Sequence, residues 1–275
     1  MEYFTQKSKT LFSILRHPYF GYLKLATKSY LSPSVYYKLY YYAKKAPNGH
    51  AIDIGPAQGG TTIAIAKGFI EADKTTYDIH SIEKGHSSNA LANESVSDNK
   101  QILEQNINRF GVSSSVIVHM AYSHEAFIAG AEPAPLGFIC IDADGALDRD
   151  FRLFYNHLLD NGFVVLDDYE DMINRHGKKL LQADAQGIEK FINQHNVQTL
   201  AEATPLGKEL LMFRFVNYCL EAGLLETSEI VGANTWFGYK PVGAPEFSEQ
   251  HWLDMQNIRE EIASEFWKMR SENLA

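Results

Sequence analysis

Two short apolar runs in the middle of the chain each end abruptly in acidic residues. They cover residues 138–141 and 163–166. Continuous apolar runs of this length predict strands that are buried on both faces. Four aspartates follow the two runs: Asp142, Asp144, Asp167 and Asp168. Because ligands of an open parallel sheet bind beyond the carboxyl ends of its strands, we expect these carboxylates to meet at one edge. Carboxylates that close together repel one another unless a cation joins them, so the pattern predicts a hard-metal site.

The same patterning predicts strands and helices in alternation along the chain. Strands are expected at 50–54, 77–83, 115–120, 136–141 and 163–166, and helices at 61–70, 97–110, 147–159 and 186–194. This alternation predicts an α/β fold, a doubly wound and mostly parallel Rossmann-like sheet with right-handed crossovers. The runs 198–203 and 209–215 are interpreted as two last strands, for a total of seven. The loop between them is too short for a crossover helix, so this last pair is expected to be antiparallel.

Helical extensions are expected on both sides of a central domain at 49–217. Residues 1–48 are helical in character, and their tyrosine-rich stretch 34–43 has two interpretations. It is either a helix packed on the main domain, or the wall of an acceptor site or a dimer contact. Residues 218–275 show no strand pattern, and 252–269 is typical of an amphipathic helix. The polar segment 169–186 has a length that suits a lid.

A glycine-rich turn follows the first predicted strand. Gly55 and Gly59 permit a tight turn and let a ligand approach the backbone closely. The N–H groups at the start of the next helix favour a carboxylate or a phosphate. Glu83 ends the second predicted strand, where a carboxylate can accept hydrogen bonds from both hydroxyls of a ribose. Tyr122 and Ser123 follow the third strand and are interpreted either as the border of an adenine ring or as ordinary loop residues.

Composition narrows the classes of function and partner. The chain has 275 residues and a formal net charge of −9, and it has no long cluster of Lys and Arg. We therefore expect no nucleic-acid partner. We expect no signal peptide, and no apolar run in the sequence is long enough to span a membrane. Two cysteines do not make a disulfide framework, which suits a reducing compartment, so a cytoplasmic protein is expected.

The motif that begins at Asp53, Asp-Ile-Gly-Pro-Ala-Gln-Gly-Gly, resembles the first motif of class I S-adenosylmethionine-dependent methyltransferases. Glu83 matches the acidic residue of their second strand. The motifs Asp-Ala-Asp at 142–144 and Asp-Asp-Tyr at 167–169 are more specific. They resemble the metal-dependent O-methyltransferases of the macrocin O-methyltransferase type, which modify sugar hydroxyls and phenols, and more distantly catechol O-methyltransferase. The resemblance covers residues 48–215.

This resemblance implies S-adenosylmethionine as cofactor and a divalent cation beside it. It assigns Asp53, Gly55, Gly59 and Glu83 to cofactor binding. The predicted cofactor-binding set also includes Tyr122, Ser123 and Asp142. Among these, Asp53 would support the turn and Glu83 would bind the ribose. The implied metal ligands are Asp142, Asp167 and Asp168, and the implied general base is Asp144. Gly145 and Ala146 depart from the family, in which a bulky residue or a histidine often follows the second aspartate.

The implied reaction is methylation of a hydroxyl on a small molecule, either a sugar of a glycosylated metabolite or polysaccharide, or a phenol. A divalent cation lowers the pKa of a coordinated hydroxyl and fixes its position. Three carboxylates without His or Cys favour Mg²⁺, or Mn²⁺ or Ca²⁺, over zinc. For any single aspartate, the alternative role is a strand-end cap or turn former.

Two other functions are compatible with parts of the pattern. The distance from the glycine turn to Glu83 also suits an NAD-dependent oxidoreductase, although Ala57 stands where the dinucleotide fingerprint has a glycine. The second alternative is a non-catalytic binding protein with a methyltransferase fold, because fold alone does not establish function. A homodimer is a further possibility that the sequence leaves open.

Overall fold

A seven-stranded sheet forms the centre of the molecule. The computed structural model describes residues 15–84, 96–127, 132–142, 146–195 and 197–274. The strands are β1 (His50–Ile54), β2 (Ile79–Ile82), β3 (Val116–His119), β4 (Leu136–Ile141), β5 (Leu158–Leu166), β6 (Glu226–Val231) and β7 (Thr235–Tyr239). Their order is β3-β2-β1-β4-β5-β7-β6. Strands β1 to β5 pair in parallel, and β7 is antiparallel to both of its neighbours. The predicted fold class is confirmed.

Helices cover both faces of this sheet. They are α1 (Pro18–Thr27), α2 (Pro33–Lys45), α3 (Gly60–Glu71), α4 (Val96–Arg109), α5 (Leu147–Phe154), α6 (Arg175–Leu180), α7 (Ala185–His195), α8 (Lys208–Glu221) and α9 (Glu249–Leu274). Two 3₁₀ turns, Ser113–Ser115 and Tyr155–His157, precede β3 and β5. Within the described residues, no helix combines the length and apolar character needed to cross a bilayer.

Two hydrophobic cores lie on opposite faces of the sheet because successive strand residues point to opposite sides. Ala51 and Phe138 face a core that is shared with α2, α3 and α4. Ile52 and Ile139 face a second core, shared with α5, α8 and α9. All four side chains are fully buried. The parallel strands are therefore covered on both faces, as their continuous apolar runs predict.

The tyrosine-rich helix α2 packs on the main domain through one of its faces. Tyr36 and Leu39 are buried there. The ring of Tyr42 lies 4.8 Å from that of Phe163 in β5, measured between centroids. The backbones of α2 and α3 approach closely at Gly68, where an added Cβ would lie 2.5 Å from the carbonyl oxygen of Tyr40. These contacts support the interpretation of α2 as a helix packed on the domain.

The C-terminal helix α9 is tied to α5 by an ion pair that is nearly buried. The Arg259 guanidinium donates from Nη2 to Asp148 Oδ1 at 2.6 Å and from Nε to Asp148 Oδ2 at 3.2 Å. Gln256, also on α9, donates to the same carboxylate. Because breaking one side of a buried pair leaves an uncompensated charge, this contact anchors α9 firmly against the sheet layer.

The positions predicted for the last two strands are wrong. Residues 209–215 lie inside α8, and 198–203 form turns. The closing strands are β6 and β7, within the segment expected to be entirely helical, so the sheet extends beyond residue 217. Leu211, Phe215 and Cys219 repeat at the four-residue spacing of one helix face, and all are buried. Strand β6 is mostly polar and exposed at the sheet edge, so it lacks an apolar pattern.

The helix expected at 147–159 ends early. Helix α5 stops at Phe154, and β5 begins at Leu158, which pairs with Leu136 of β4. Asn161 adopts a left-handed backbone (φ +60°), and its N–H donates to the carbonyl of Lys240 at 2.8 Å. Asn161 and Gly162 lie where the β4–β5 register shifts, inside a strand that is longer than its apolar part.

Candidate active site

Three of the four predicted aspartates converge at the carboxyl edge of the sheet. Asp142 follows β4, and its N–H donates to the carbonyl of Ile54 at 2.8 Å. Asp167 follows β5, and its N–H donates to the carbonyl of Ile141 at 3.1 Å. Carboxylate oxygens of Asp142, Asp167 and Asp168 all lie within 4.8 Å of one another. We call these three residues the acidic edge. Asp144 lies outside the described residues.

The start of β7 holds two members of the acidic edge in place. Asn234 donates from Nδ2 to Asp168 Oδ1 at 3.2 Å, and Thr235 donates from Oγ1 to Asp167 Oδ1 at 2.6 Å. The N–H of Tyr169 donates to the carbonyl of Asn234 at 2.8 Å. Asp168 has a left-handed backbone (φ +60°), a conformation that Asp tolerates better than most residues. The antiparallel hairpin therefore helps to orient the aspartates that end β5.

A lysine from α8 reaches the same carboxylates. Lys208, the first residue of α8, has its Nζ 3.7 Å from Asp142 Oδ1 and forms a closer ion pair with Asp168. Burial disfavours the charged ammonium, but the carboxylates of Asp142 and Asp168 outweigh it and raise the Lys208 pKa above its ordinary value. Lys208 therefore stays cationic. Sequence patterning did not identify Lys208, Asn234 or Thr235, which are distant in sequence from the aspartates they contact.

One ammonium does not neutralise three carboxylates. Burial raises the pKa of Asp142 to about 6, even though Lys208 opposes that shift. Burial, followed by the charges of Asp142 and Asp168, raises the pKa of Asp167 to about 7. The acidic edge thus carries unbalanced negative charge at neutral pH. An all-oxygen ligand set with excess negative charge fits a hard divalent cation.

The glycine turn lies beside the acidic edge, between β1 and α3. Gly55 (φ +80°) and Gly59 (φ +91°) have left-handed backbones, and so does Ala57 (φ +49°). The N–H of Gly59 donates to the carbonyl of Pro56 at 2.8 Å, which closes the turn. Buried Glu83 accepts from the N–H of Ala57 at 3.0 Å. The second-strand acid is therefore held directly against the turn.

Asp53 supports this turn from inside the protein. Its side chain is fully buried, and Oδ2 accepts hydrogen bonds from the hydroxyls of Thr61 at 2.8 Å and Thr62 at 2.5 Å. Both threonines lie in the first turn of α3. Burial raises the pKa of Asp53 to about 6, against the opposing effect of the threonine hydrogen bonds. With no exposed surface, Asp53 fits a role in holding the turn rather than in contacting a ligand.

Tyr122 and Ser123 lie just beyond β3, whose last carbonyl, that of His119, accepts from the N–H of Glu83 at 2.9 Å. Ser123 is buried, and its hydroxyl donates to Asp150 Oδ1 at 2.5 Å. Tyr122 is exposed, with its ring centroid 5.7 Å from Lys84 Nζ. The position fits the predicted border of an adenine ring, and that role stays a prediction.

The N-terminal extension also reaches this region through Tyr36. A Cβ added at Gly60 would lie 2.8 Å from the Tyr36 hydroxyl and 2.5 Å from Ser29 Oγ. Burial raises the pKa of Tyr36, and the charges of Asp142 and Asp167 add to that shift. The Tyr36 side chain of α2 is therefore close enough to the acidic edge for the charges of Asp142 and Asp167 to raise its pKa. The tyrosine-rich sequence alone does not indicate this proximity.

Comparison with known proteins agrees with this architecture. No protein-family model matches the chain, and no curated protein matches it significantly. Cofactor-bound Rv0187 from MTB is similar in structure, with a TM-score of 0.51 and 15% identity over 81% of this chain and 89% of that one. The O-methyltransferase from Bacillus cereus, solved in complex with SAH, has a TM-score of 0.50 and 15% identity over 77% of this chain and 83% of that one.

The chain has a methyltransferase-type Rossmann-like fold. At these identities the likeness concerns the fold, and the chemistry has to be argued from the site. The carboxyl edge combines a strained turn that closes against a buried acid with a cluster of three carboxylates and one ammonium. Such a site can hold a nucleoside-containing ligand at the turn and a cation beside it.

Proposed function

We propose that this protein is an S-adenosylmethionine-dependent O-methyltransferase that acts, with the help of a divalent metal ion, on a hydroxyl of a small molecule. The observation that carries the proposal is the convergence of Asp142, Asp167 and Asp168 beside the turn that Glu83 closes. An NAD-dependent oxidoreductase would have no use for that carboxylate cluster. The fold shared with a solved O-methyltransferase in complex with SAH supports the same assignment.

The glycine turn and Glu83 are the proposed binding elements for the cofactor. Gly55 and Gly59 adopt left-handed backbones that glycine tolerates at no steric cost, and this keeps the turn tight. Glu83, held by the N–H of Ala57, would accept hydrogen bonds from the ribose hydroxyls. Asp53 would keep the turn rigid through Thr61 and Thr62. When bound, the cofactor supplies a methyl group on a positively charged sulfur.

The acidic edge is the proposed metal site. Asp142, Asp167 and Asp168 would hold Mg²⁺, or Mn²⁺ or Ca²⁺, because all three offer oxygen ligands. Such an ion lowers the pKa of an acceptor hydroxyl, which is far too weak an acid to ionise on its own at neutral pH. Thr235 and Asn234 keep two of the carboxylates oriented. Asp144 remains the proposed general base on the strength of the sequence motif.

Lys208 competes with a metal ion for the same oxygens. Its ammonium pairs with Asp142 and Asp168, which are two of the three proposed ligands. In the absence of a metal, this lysine limits the repulsion among the carboxylates and keeps them together. We propose that Lys208 balances the charge of the metal-free site and weakens metal binding, so that metal affinity depends on displacing it.

The acceptor is proposed to be a sugar hydroxyl or a phenol. This choice rests on the likeness of the two aspartate motifs to the macrocin-type enzymes. Neither motif distinguishes the two kinds of hydroxyl, because a divalent cation can bind and activate either one.

A methylation screen tests the proposal. Sugars, glycosylated metabolites and catechols are incubated with the protein and cofactor carrying a labelled methyl group, with Mg²⁺, with Mn²⁺, or with chelator. We expect label on an acceptor oxygen that depends on the ion. Methylation confined to nitrogen, or equal turnover with chelator, would contradict the proposal. Binding of the cofactor without turnover on any acceptor would favour a scaffold, and binding of NADH instead would favour an oxidoreductase.

A further inference from the structure

A second group of potential metal ligands lies at the opposite, amino edge of the sheet. His50 is the first residue of β1, Asp78 directly precedes β2, and His80 is the second residue of β2. One ligand atom from each residue lies within 4.8 Å of those of the other two. The parallel register of β1 and β2, which pairs Ile52 with His80, brings these residues together although about 30 positions separate them in sequence. We call His50, Asp78 and His80 the amino-edge triad.

Hydrogen bonds in the structure engage Nδ1 of both histidines. His80 Nδ1 lies 3.1 Å from His119 Nε2, whereas His80 Nε2 is buried and has no hydrogen-bond partner. His50 Nδ1 accepts from the N–H of Asp78 at 3.0 Å, so Nε2 is the nitrogen of His50 that would bind an ion. A histidine that binds a metal through one nitrogen usually gives its other N–H to a neighbouring acceptor. His119 is placed to be that acceptor for His80.

Simple packing accounts for only part of this arrangement. His80 stacks on His119 with centroids 5.3 Å apart, and Phe127 packs against both rings. An aromatic ring without polar atoms would make the same stacking contacts. A buried polar atom without a hydrogen-bond partner lowers the stability of the fold by about 1–3 kcal/mol, and ring stacking alone gives no reason for a nitrogen at that position. His80 is only 8% exposed, so bulk water does not reach that nitrogen freely. The orphaned Nε2 is therefore the feature that a bound ion would explain.

We propose that the amino-edge triad binds a borderline first-row divalent ion, most characteristically Zn²⁺, at a site separate from the acidic edge. Two imidazoles and one carboxylate are ligands typical of zinc, with water in the fourth position. Zn–N bonds of 2.0–2.1 Å put tetrahedral ligands about 3.4 Å apart, and the triad atoms lie within 4.8 Å, so they need to close by at most about 1.4 Å. His50 and Asp78 are half-buried at the sheet edge, where their side chains can make that adjustment. The ion would tie the amino ends of β1 and β2 together.

Zinc titration of the full-length, tag-free protein tests this site. Zn²⁺ is added against a chromophoric chelator, in excess Mg²⁺ to occupy the acidic edge. We expect one Zn²⁺ per chain. The variants H50Q, D78N and H80Q should each weaken binding by at least about a hundredfold, because each loses a direct ligand. H119Q should weaken it by about tenfold, because an outer partner is lost. The matched control is H176Q, an exposed histidine of α6, which should leave the affinity unchanged.

Cobalt spectroscopy supplies a second readout that does not depend on activity. Co²⁺ in the wild-type protein should give visible absorption bands of a tetrahedral site, and H80Q should abolish them. H50Q and D78N keep the test available if the buried H80Q variant fails to fold, as circular dichroism would show. Zn²⁺ affinity that is unchanged in H50Q and D78N, or no stoichiometric binding by the wild type, would overturn the proposal. D167N should leave Zn²⁺ binding intact, so failure of this site is distinguishable from failure of the methyltransferase assignment.

Discussion

The two edges of the sheet assemble potential metal ligands in different ways. At the carboxyl edge, Asp142, Asp167 and Asp168 bring like charges together, and Lys208 partly offsets their repulsion. At the amino edge, His50 and His80 meet Asp78 with a single carboxylate among them, so no internal cation is required. Strand register can therefore bring ligands together at either edge, whereas the chemistry of those ligands selects the ion. Oxygen-only ligands favour Mg²⁺, and imidazoles favour Zn²⁺.

The largest effect is expected from loss of a carboxylate at the acidic edge. D168N should lower metal-dependent turnover by about a hundredfold or more, because the ion supplies several kcal/mol of charge stabilisation. Binding of S-adenosylhomocysteine, measured by calorimetry, should change by less than about twofold, since Asp168 is not at the turn. The control is D171N, an exposed acid three residues further on. Equal turnover in D168N and the wild type would show that the acidic edge does not bind a metal ion needed for the reaction.

Loss of the acid at the glycine turn should affect the cofactor instead. E83Q is expected to weaken S-adenosylhomocysteine by roughly 10- to 100-fold, because hydrogen bonds to a charged group contribute about 1.5–3 kcal/mol. Its Mn²⁺ affinity should be unchanged. Calorimetric titration measures both, with E189Q on the exposed side of α7 as the control. A loss of Mn²⁺ binding in E83Q, with cofactor affinity intact, would reverse the assigned roles of the two groups.

Removal of the Lys208 ammonium should change metal affinity at the acidic edge and leave the amino edge unaffected. K208M keeps the length of the side chain but removes the charge that pairs with Asp142 and Asp168. Mn²⁺ should then bind the acidic edge about tenfold more tightly, because the ion no longer displaces an ammonium. Zn²⁺ binding at the amino edge should not change. K178M, on the exposed surface of α6, is the control. Weaker Mn²⁺ binding in K208M would mean that the lysine organises the site rather than competing for it.

The smallest effect is expected in the pH dependence of stability. In the folded protein the pKa values of Asp142 and Asp167 are raised to about 6 and about 7, whereas an unfolded Asp has a pKa of about 3.9. Between pH 4 and 7 the folded state therefore binds more protons, so its stability falls as pH rises through that window.

Melting experiments in chelator at pH 5 and pH 7.5 check this sign. The metal-free protein should lose stability between the two values, by at most about 2.5 kcal/mol, beyond what D167N loses over the same range. Added Mn²⁺ should recover the loss at pH 7.5, because an ion favours the charged carboxylates. If the wild type and D167N had the same pH dependence of stability, the pKa of Asp167 would not be raised in the folded protein.

The sequence predicted the middle of the sheet well because burial on both faces leaves a strong signal. Strand β4 was located to the residue, and the aspartates after β4 and β5 were expected to meet. The sequence does not predict the edge strand β6, because its solvent-facing residues are polar. It predicts a strand within α8, because a short apolar run does not distinguish a buried strand from a buried helix.

Long-range partners were also beyond the reach of local patterning. Lys208 meets Asp168 only after α8 docks on the sheet, and no local motif marks it. The amino-edge triad depends likewise on the register of β1 against β2, which the sequence does not specify residue by residue. Aspartates that follow two predicted strands make the acidic edge predictable, whereas scattered histidines give no comparable signal.

Anomalous diffraction from one crystal soaked with S-adenosylhomocysteine and Mn²⁺ would test whether the acidic edge binds a metal ion beside the bound cofactor. We expect a manganese peak about 2.0–2.6 Å from carboxylate oxygens of Asp142, Asp167 and Asp168, the range of Mg–O and Ca–O bonds, with the Lys208 ammonium moved away from Asp168. We also expect the ribose hydroxyls at Glu83. A crystal with the cofactor bound but no manganese at the acidic edge, and with Lys208 still paired to Asp168, would contradict the proposed metal site.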